Sequence, residues 1–121
     1  MKRSTLALIV AVLVAASAPS LLAHMKATKM EPAANATLTA PPTKVQVWFT
    51  QAPDPKVSKL ELTGPGGAVK LTGLHIAADK SIVATIPGGL DAGRFTARWQ
   101  SAGTDGHVQK GEFSFSVKLT S

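Results

Sequence analysis

Few side chains of this chain can bind a metal ion, and two of them lie close together near its carboxyl end. Asp105 and His107 are separated by a single glycine, Gly106, in a short stretch between two predicted strands. Carboxylate and imidazole are both metal ligands. Aspartate and glycine are also ordinary turn residues, and a histidine beside them is usually only solvated. The motif by itself therefore favours a turn, with Gly106 letting the loop reverse.

A third candidate ligand, His24, follows a segment with the layout of a secretory signal peptide. Residues 1–3 are basic, residues 5–16 are a nearly continuous apolar run, and residues 17–23 are mostly small. The apolar run is shorter than the roughly 20 residues that cross a bilayer as a helix. We therefore predict a cleaved signal peptide over residues 1–23 rather than a transmembrane anchor.

The signal peptide has two candidate cleavage positions. A cut after Ala18 fits the small-x-small pattern, but it leaves Pro19 as the first mature residue, which the peptidase tolerates poorly. A cut after Ala23 places Leu21 where a small residue is preferred. We favour the cut after Ala23, which makes His24 the mature N-terminus.

An N-terminal histidine offers two nitrogens at once, because its amine and its ring can close a chelate ring on one ion. An α-amino group has a pKa of about 8, so a metal can displace its proton at neutral pH. The ring of His107 adds a third nitrogen and Asp105 an oxygen, a set that suits Cu(II). The chain has no cysteine, so thiolate ligands are excluded. From these residues alone, a site shared by both ends of the chain and an arbitrary polar residue exposed by cleavage stay equally open.

The elements that must position these residues are predicted to be strands. Alternation of apolar and polar residues is clearest over residues 44–50, 94–102 and 111–119, and shorter candidates are residues 59–63, 68–71 and 82–86. Turns rich in proline and glycine separate them. The pattern predicts an all-β, Ig-like antiparallel sandwich with Greek-key connections and about seven strands. Residues 24–121 form one domain, with Trp99 in its core.

Charge argues against nucleic acid as a partner. Loss of Lys2 and Arg3 with the signal peptide lowers the formal net charge from +6 to +4. The remaining lysines are scattered and form no basic patch with aromatic platforms, which nucleic-acid binding requires.

Several short motifs are shared with a known family. They are Ala-His at 23–24, Glu-Pro-Ala-Ala at 31–34, Ala-Pro-Pro at 40–42, Leu-x-Ala-Gly-x-Phe-x-x-x-Trp at 90–99, Ser-Ala-Gly-Thr-Asp-Gly-His at 101–107 and Gly-x-Phe-x-Phe-x-Val at 111–117. In this order and spacing the chain resembles the CopC family of periplasmic copper-binding proteins. The resemblance implies one Cu(II) per chain near one end of the sandwich. It implies as ligands the amine and ring of His24, the ring of His107, and Asp105 as a more distant or axial oxygen.

The chain departs from this family at two places. Many members carry an acidic residue near the copper where this chain has Gln51, whose neutral amide is a poorer ligand. Some members have a methionine-rich loop that binds Cu(I) through soft thioethers, whereas residues 62–82 contain no methionine. His75 lies in that stretch and is interpreted as a solvated strand histidine. Met25 and Met30 are too scattered to form a thioether site, so we predict no Cu(I) site.

The leading hypothesis is a periplasmic copper chaperone, carrier or buffer in copper resistance and homeostasis. It would act as a monomer without catalysis, and an inner-membrane copper transporter is a candidate partner. The alternative is a copper redox enzyme, because His24 with a second histidine resembles the histidine brace of lytic polysaccharide monooxygenases. The scarcity of aromatic residues, with four Phe, two Trp and no Tyr, argues against a polysaccharide surface. A metal-free Ig-like accessory module is the third hypothesis.

Overall fold

The computed structural model describes residues 24–119, so the predicted signal peptide lies outside the described residues. The strands are β1 (Ala27–Glu31), β2 (Thr37–Leu38), β3 (Lys44–Phe49), β4 (Lys59–Gly64), β5 (Gly67–Val69), β6 (Thr72–Ala77), β7 (Ser81–Thr85), β8 (Gly93–Ala102) and β9 (Val108–Val117). Within this range no helix has the length and apolar character needed to span a membrane.

The strands form two sheets, which confirms the predicted all-β sandwich. One sheet has four strands in the order β1-β3-β7-β6, and the other has five in the order β2-β9-β8-β4-β5. Neighbouring strands are antiparallel except for β2, whose two residues pair with β9 in parallel. β8 and β9 form a long hairpin that stays in register from Gly93 opposite Val117 to Ala102 opposite Val108. The connection between them, residues 103–107, therefore lies at one end of the sandwich.

The core follows the predicted alternation. β3 contributes Val45, Val47 and Phe49, while β8 and β9 contribute a row of aromatic and aliphatic side chains: Phe95, Ala97, Trp99, Phe113, Phe115 and Val117. Trp99 is buried as predicted and meets Phe49 edge-on, with ring centroids 4.9 Å apart. Its cross-strand neighbour is Gly111, where any Cβ would clash with the indole ring. With no cysteine in the chain, this packing rather than a disulfide joins the two sheets.

Three strands were missed by the sequence pattern. β2 is only two residues long, and the pairing of β1 with β3 shifts register between Ala27 and Lys29, which disrupts the alternation. β6 is an edge strand with four consecutive exposed residues, so it shows little apolar periodicity. His75 lies on β6, exposed, with its Nδ1 2.8 Å from the carbonyl oxygen of Gly73. This matches the predicted solvated strand histidine.

The strand directions bring distant parts of the chain to the same end of the sandwich. β1 starts and β3 ends there, since Ala27 pairs with Phe49. Beyond these strands, the Lys26 amide donates to Thr50 Oγ1 at 3.0 Å and the Thr50 amide donates to the Lys26 carbonyl at 2.9 Å. β8 ends and β9 begins at this end as well, because the Asp54 amide donates to the Ala102 carbonyl at 2.8 Å. His24, Gln51 and the 103–107 turn therefore meet.

Candidate metal centre

His24 is held in place by the residue that follows it. Met25 is 2% exposed and belongs to the hydrophobic core, although it stands at the start of the described chain. The paired hydrogen bonds between Lys26 and Thr50 fix the next residue against the end of β3. His24 itself is exposed, but its backbone is anchored one residue away. From sequence, Met25 was considered only as a thioether ligand, and this anchoring role was missed.

The β8–β9 turn supplies the other two side chains. The Gly106 amide donates to the Gly103 carbonyl at 3.1 Å, which closes the turn. The His107 amide donates to Asp105 Oδ1 at 3.0 Å, so the carboxylate also braces its own loop. Gly106 has φ 74°, a left-handed conformation that glycine adopts without steric cost. This is consistent with the turn role expected for Gly106.

The three predicted ligand residues converge. His24 Nδ1 is 2.6 Å from Asp105 Oδ2, and His107 Nδ1 lies 3.3 Å from His24 Nδ1 and 3.6 Å from Asp105 Oδ2. The two imidazoles meet edge-on, with ring centroids 4.9 Å apart and planes inclined by 61°. Among residues 24–119 this is the one group of three metal-capable side chains whose ligand atoms come together.

The spacing of the donors suits a single ion. Two ligand atoms at about 2.0–2.1 Å from one metal lie about 2.8–3.0 Å apart at a right angle and about 4 Å apart when opposite each other. The separations of 2.6, 3.3 and 3.6 Å fall near this range. Two imidazole nitrogens with one carboxylate oxygen form a donor set that Cu(II) accepts, as do other divalent ions such as Zn(II) and Fe(II). The residues present therefore fit a copper ion.

The site carries an ionised carboxylate and is open to solvent. The hydrogen bond with His24 lowers the pKa of Asp105, and the hydrogen bond from the His107 amide lowers it further. The His24 and His107 side chains are 53% and 68% exposed, against 32% for Asp105. A cation can thus approach a negative charge flanked by two imidazoles without displacing any segment of residues 24–119.

Gln51 lies directly behind the turn. Its side-chain oxygen Oε1 accepts hydrogen bonds from both the amide and the hydroxyl of Thr104, each at 3.2 Å. The sequence analysis considered Gln51 only as a substituted ligand position. Its partner Thr104 is 53 residues away in the chain, and no local pattern links the two.

Known proteins are similar to this chain over most of its length. The family model for the CopC domain matches residues 27–118, a range that includes Asp105 and His107 and begins just after His24. Protein YobA of Escherichia coli K12 is 34% identical over 103 residues, which cover 83% of each chain. Copper resistance protein C of Xanthomonas campestris pv. juglandis is 32% identical over 126 residues, which cover 96% of this chain and 97% of the relative.

Solved structures share the fold of this chain. The crystal structure of PcoC, a methionine-rich copper resistance protein from Escherichia coli, superposes with a TM-score of 0.71 at 28% identity. That match covers 79% of this chain and all of PcoC. CopC from Methylosinus trichosporium OB3b superposes with a TM-score of 0.70, covering 81% of this chain and 97% of its own, and at 21% identity it supports the fold alone.

Proposed function

This chain belongs to the CopC family, and from that premise we propose that it is a periplasmic Cu(II)-binding protein that carries or buffers copper in copper resistance and homeostasis. The observation that carries the proposal is the meeting of His24 with Asp105 and His107 across 81 and 83 residues of sequence. A metal site explains the convergence of these three metal-capable side chains better than chance proximity does.

The donor chemistry favours Cu(II) over Cu(I). Imidazole and carboxylate suit the divalent ion, whereas Cu(I) prefers thiolate and thioether sulfur. The chain has no cysteine, and its two methionines within the described residues face the core, Met25 as part of it and Met30 packed against it. We therefore propose one Cu(II) per chain and no Cu(I) site.

A free amine on His24 would complete the site. Cleavage after Ala23 turns the backbone nitrogen of His24 into an α-amine, which can chelate one ion together with the Nδ1 of the same residue. That Nδ1 is the ring nitrogen directed at Asp105 and His107. Export by the signal peptide would place the protein in the periplasm, where it would act as a monomer.

The openness of the site supports a carrier or buffer role. Both imidazoles are more than half exposed, so a partner's ligands can reach a bound ion without unfolding this domain. An inner-membrane copper transporter is a partner of the required kind. Nothing in the scattered positive charge supports nucleic acid as a partner.

We propose no catalytic reaction. A histidine-brace enzyme acting on polysaccharide needs exposed aromatic rings around the metal. All four Phe and Trp99 are buried here. Trp48 is half-buried, with the Lys29 ammonium 4.8 Å from its ring centroid.

The test is a copper titration of two proteins, one beginning at His24 and one that retains Ala23. Tryptophan fluorescence and electron paramagnetic resonance follow the binding. We expect the first protein to take up one Cu(II) in a tetragonal centre with nitrogen couplings, and to bind Zn(II) more weakly. The protein that retains Ala23 should bind copper much more weakly, because the backbone nitrogen of His24 is then part of a peptide bond and is no longer an amine.

Three results would contradict the proposal. Equal Cu(II) affinity of the two proteins would show that the α-amine of His24 is not a ligand. Uptake of two equally tight Cu(II) ions would show that the chain does not have a single site. Oxygen consumption with copper and a reductant would favour the redox enzyme instead. The intact mass of the exported protein gives the cleavage position independently.

A further inference from the structure

We propose that Gln51 is a positioning residue of the metal site, which holds the Thr104 backbone so that Asp105 and His107 face His24, and that it does not coordinate the ion. The inference rests on the proposed copper function and adds a residue to that site. It assigns the position a supporting role in place of a weakened ligand.

The hydrogen bonds of Gln51 end one residue before the first ligand of the turn. Oε1 accepts from both the Thr104 amide and the Thr104 hydroxyl at 3.2 Å. An amide oxygen has two lone pairs, so these two donors use its whole acceptor capacity. Coordination by this oxygen would require at least one of the hydrogen bonds to break. Oε1, the Gln51 atom best suited to bind a metal, is therefore already occupied by its hydrogen bonds with Thr104.

Steric fit at Gly103 supports the same role. Gly103 is buried, and a Cβ built on it would clash with Gln51 Oε1 and come within 3.2 Å of the Met25 Cβ. The Gln51 and Met25 side chains thus both lie against Gly103 at the start of the turn. Gln51 also directly follows Thr50, whose hydrogen bonds hold Lys26, so it connects the segment that carries His24 to the turn that carries the other two ligands.

This linkage matters for affinity because the ligand residues of the turn lie outside the hydrophobic core. Residues 104–107 are all exposed, and none of them belongs to the hydrophobic core. A loop that is ordered before the ion arrives does not lose conformational freedom on binding, so affinity rises without a new ligand. Loss of the Gln51 contact should weaken copper binding while leaving the ligand set unchanged.

The test compares Gln51→Leu, which keeps the size and loses the acceptor, with Gln51→Glu, which keeps the acceptor. Gln100→Leu is the matched control, since it makes the same change on β8 where the side chain reaches the Val57 carbonyl instead of the turn. Thr104→Val removes one of the two hydrogen bonds from the exposed side. Each protein begins at His24. The measurements are Cu(II) affinity, the paramagnetic spectrum at full loading, and hydrogen exchange of the Thr104 amide without metal.

We expect Gln51→Leu to lower Cu(II) affinity about ten-fold and Thr104→Val about three-fold, from the loss of two hydrogen bonds and of one. Gln100→Leu should stay within about two-fold of the parent, and Gln51→Glu should bind at least as tightly as the parent, because it keeps the acceptor and adds a negative charge near the cation. The loaded spectra of Gln51→Leu, Thr104→Val and Gln100→Leu should coincide with that of the parent, and Thr104 exchange should accelerate in Gln51→Leu.

A changed spectrum in loaded Gln51→Leu would make Gln51 a ligand and overturn the inference. Unchanged affinity and unchanged Thr104 exchange in Gln51→Leu and Thr104→Val would also overturn it. Failure of the proposed function is a separate result: the parent would take up no copper, while Thr104 exchange in the metal-free variants would still report the Gln51 contact.

Discussion

Two hairpin turns of this domain are built alike, and only one of them is a metal site. In the β6–β7 turn the Lys80 amide donates to the Ala77 carbonyl, and in the β8–β9 turn the Gly106 amide donates to the Gly103 carbonyl. Each turn has an aspartate followed by a residue in the left-handed region, with φ 66° for Lys80 and 74° for Gly106. In each, the aspartate accepts a hydrogen bond from the residue two positions later.

The turns differ in which side chains surround the carboxylate. Asp79 accepts hydrogen bonds from the Ser81 hydroxyl and from the Trp48 indole N–H, the latter at 2.8 Å. An indole N–H is only a donor, so this group is closed to a cation. Asp105 instead faces His24 and His107, whose ring nitrogens can also donate lone pairs.

The comparison shows that a lowered carboxyl pKa does not by itself identify a site. The pKa of Asp79 is lowered first by the Ser81 hydroxyl, and that of Asp105 first by His24. Both shifts have ordinary hydrogen-bonding causes. What separates the two turns is the chemistry of the partner contributed from elsewhere in the chain.

The largest expected effect comes from removing an imidazole. We expect His107→Ala to lower Cu(II) affinity by more than about 100-fold, because mutation of residues that merely orient metal ligands already costs about 10- to 100-fold. His75→Ala is the control, an exposed histidine on β6 that should change nothing. A copper titration followed by fluorescence measures both. If His107→Ala bound copper as tightly as the parent, the β8–β9 turn would have no more part in metal binding than the β6–β7 turn.

Substitution of the two aspartates should also distinguish the turns, with a smaller change in Cu(II) affinity. We expect Asp105→Asn to lower Cu(II) affinity about ten-fold, since it removes charge but keeps an oxygen at the position. Asp79→Asn should leave copper affinity unchanged and affect only the thermal melt, through its weaker bonds with Trp48 and Ser81. Isothermal titration of both variants checks this, and equal copper effects would contradict the distinction.

Substitutions at the two residues with left-handed backbone conformation should change the free energy of unfolding slightly and differently in the two turns. Gly106→Ala should lower the free energy of unfolding by about 1 kcal/mol, because a Cβ is disfavoured at that φ. Lys80→Gly should raise it slightly or leave it unchanged, because relief of the same strain is offset by a more flexible unfolded chain. Urea unfolding of the metal-free proteins measures both effects. A destabilised Lys80→Gly would show that its side chain contributes more than its backbone conformation.

The smallest expected effect is on the acid dependence of stability. Because the pKa values of both aspartates are lowered on folding, their contribution is present above the unfolded pKa of about 3.9 and is lost as the pH falls through the folded values. The metal-free protein should therefore lose stability below about pH 4, and Asp79→Asn/Asp105→Asn should lose less. Unfolding curves at several pH values measure the difference, and parallel losses would contradict it.

Sequence alone predicted the parts of the fold that rest on periodicity. The strands with a regular buried face, such as β3, β8 and β9, were found, while β1 and β6 were missed because a register shift and an exposed edge hide the pattern. The grouping of His24 with Asp105 and His107 came from the family resemblance, since the residues alone left it open. The roles of Met25, Gln51 and Thr104 depend on contacts between distant segments, which no local pattern records.

The burial of Met25 has a consequence for when copper can be bound. The core fixes the chain one residue after His24, so the segment has no spare length with which a differently cut N-terminus could reach the turn. On the proposed cleavage, the unprocessed precursor carries an amide where the ligand amine must be. Full copper binding would then be a post-translational property that the chain acquires only after export, and a cut displaced by one residue would yield a folded but weakly binding protein.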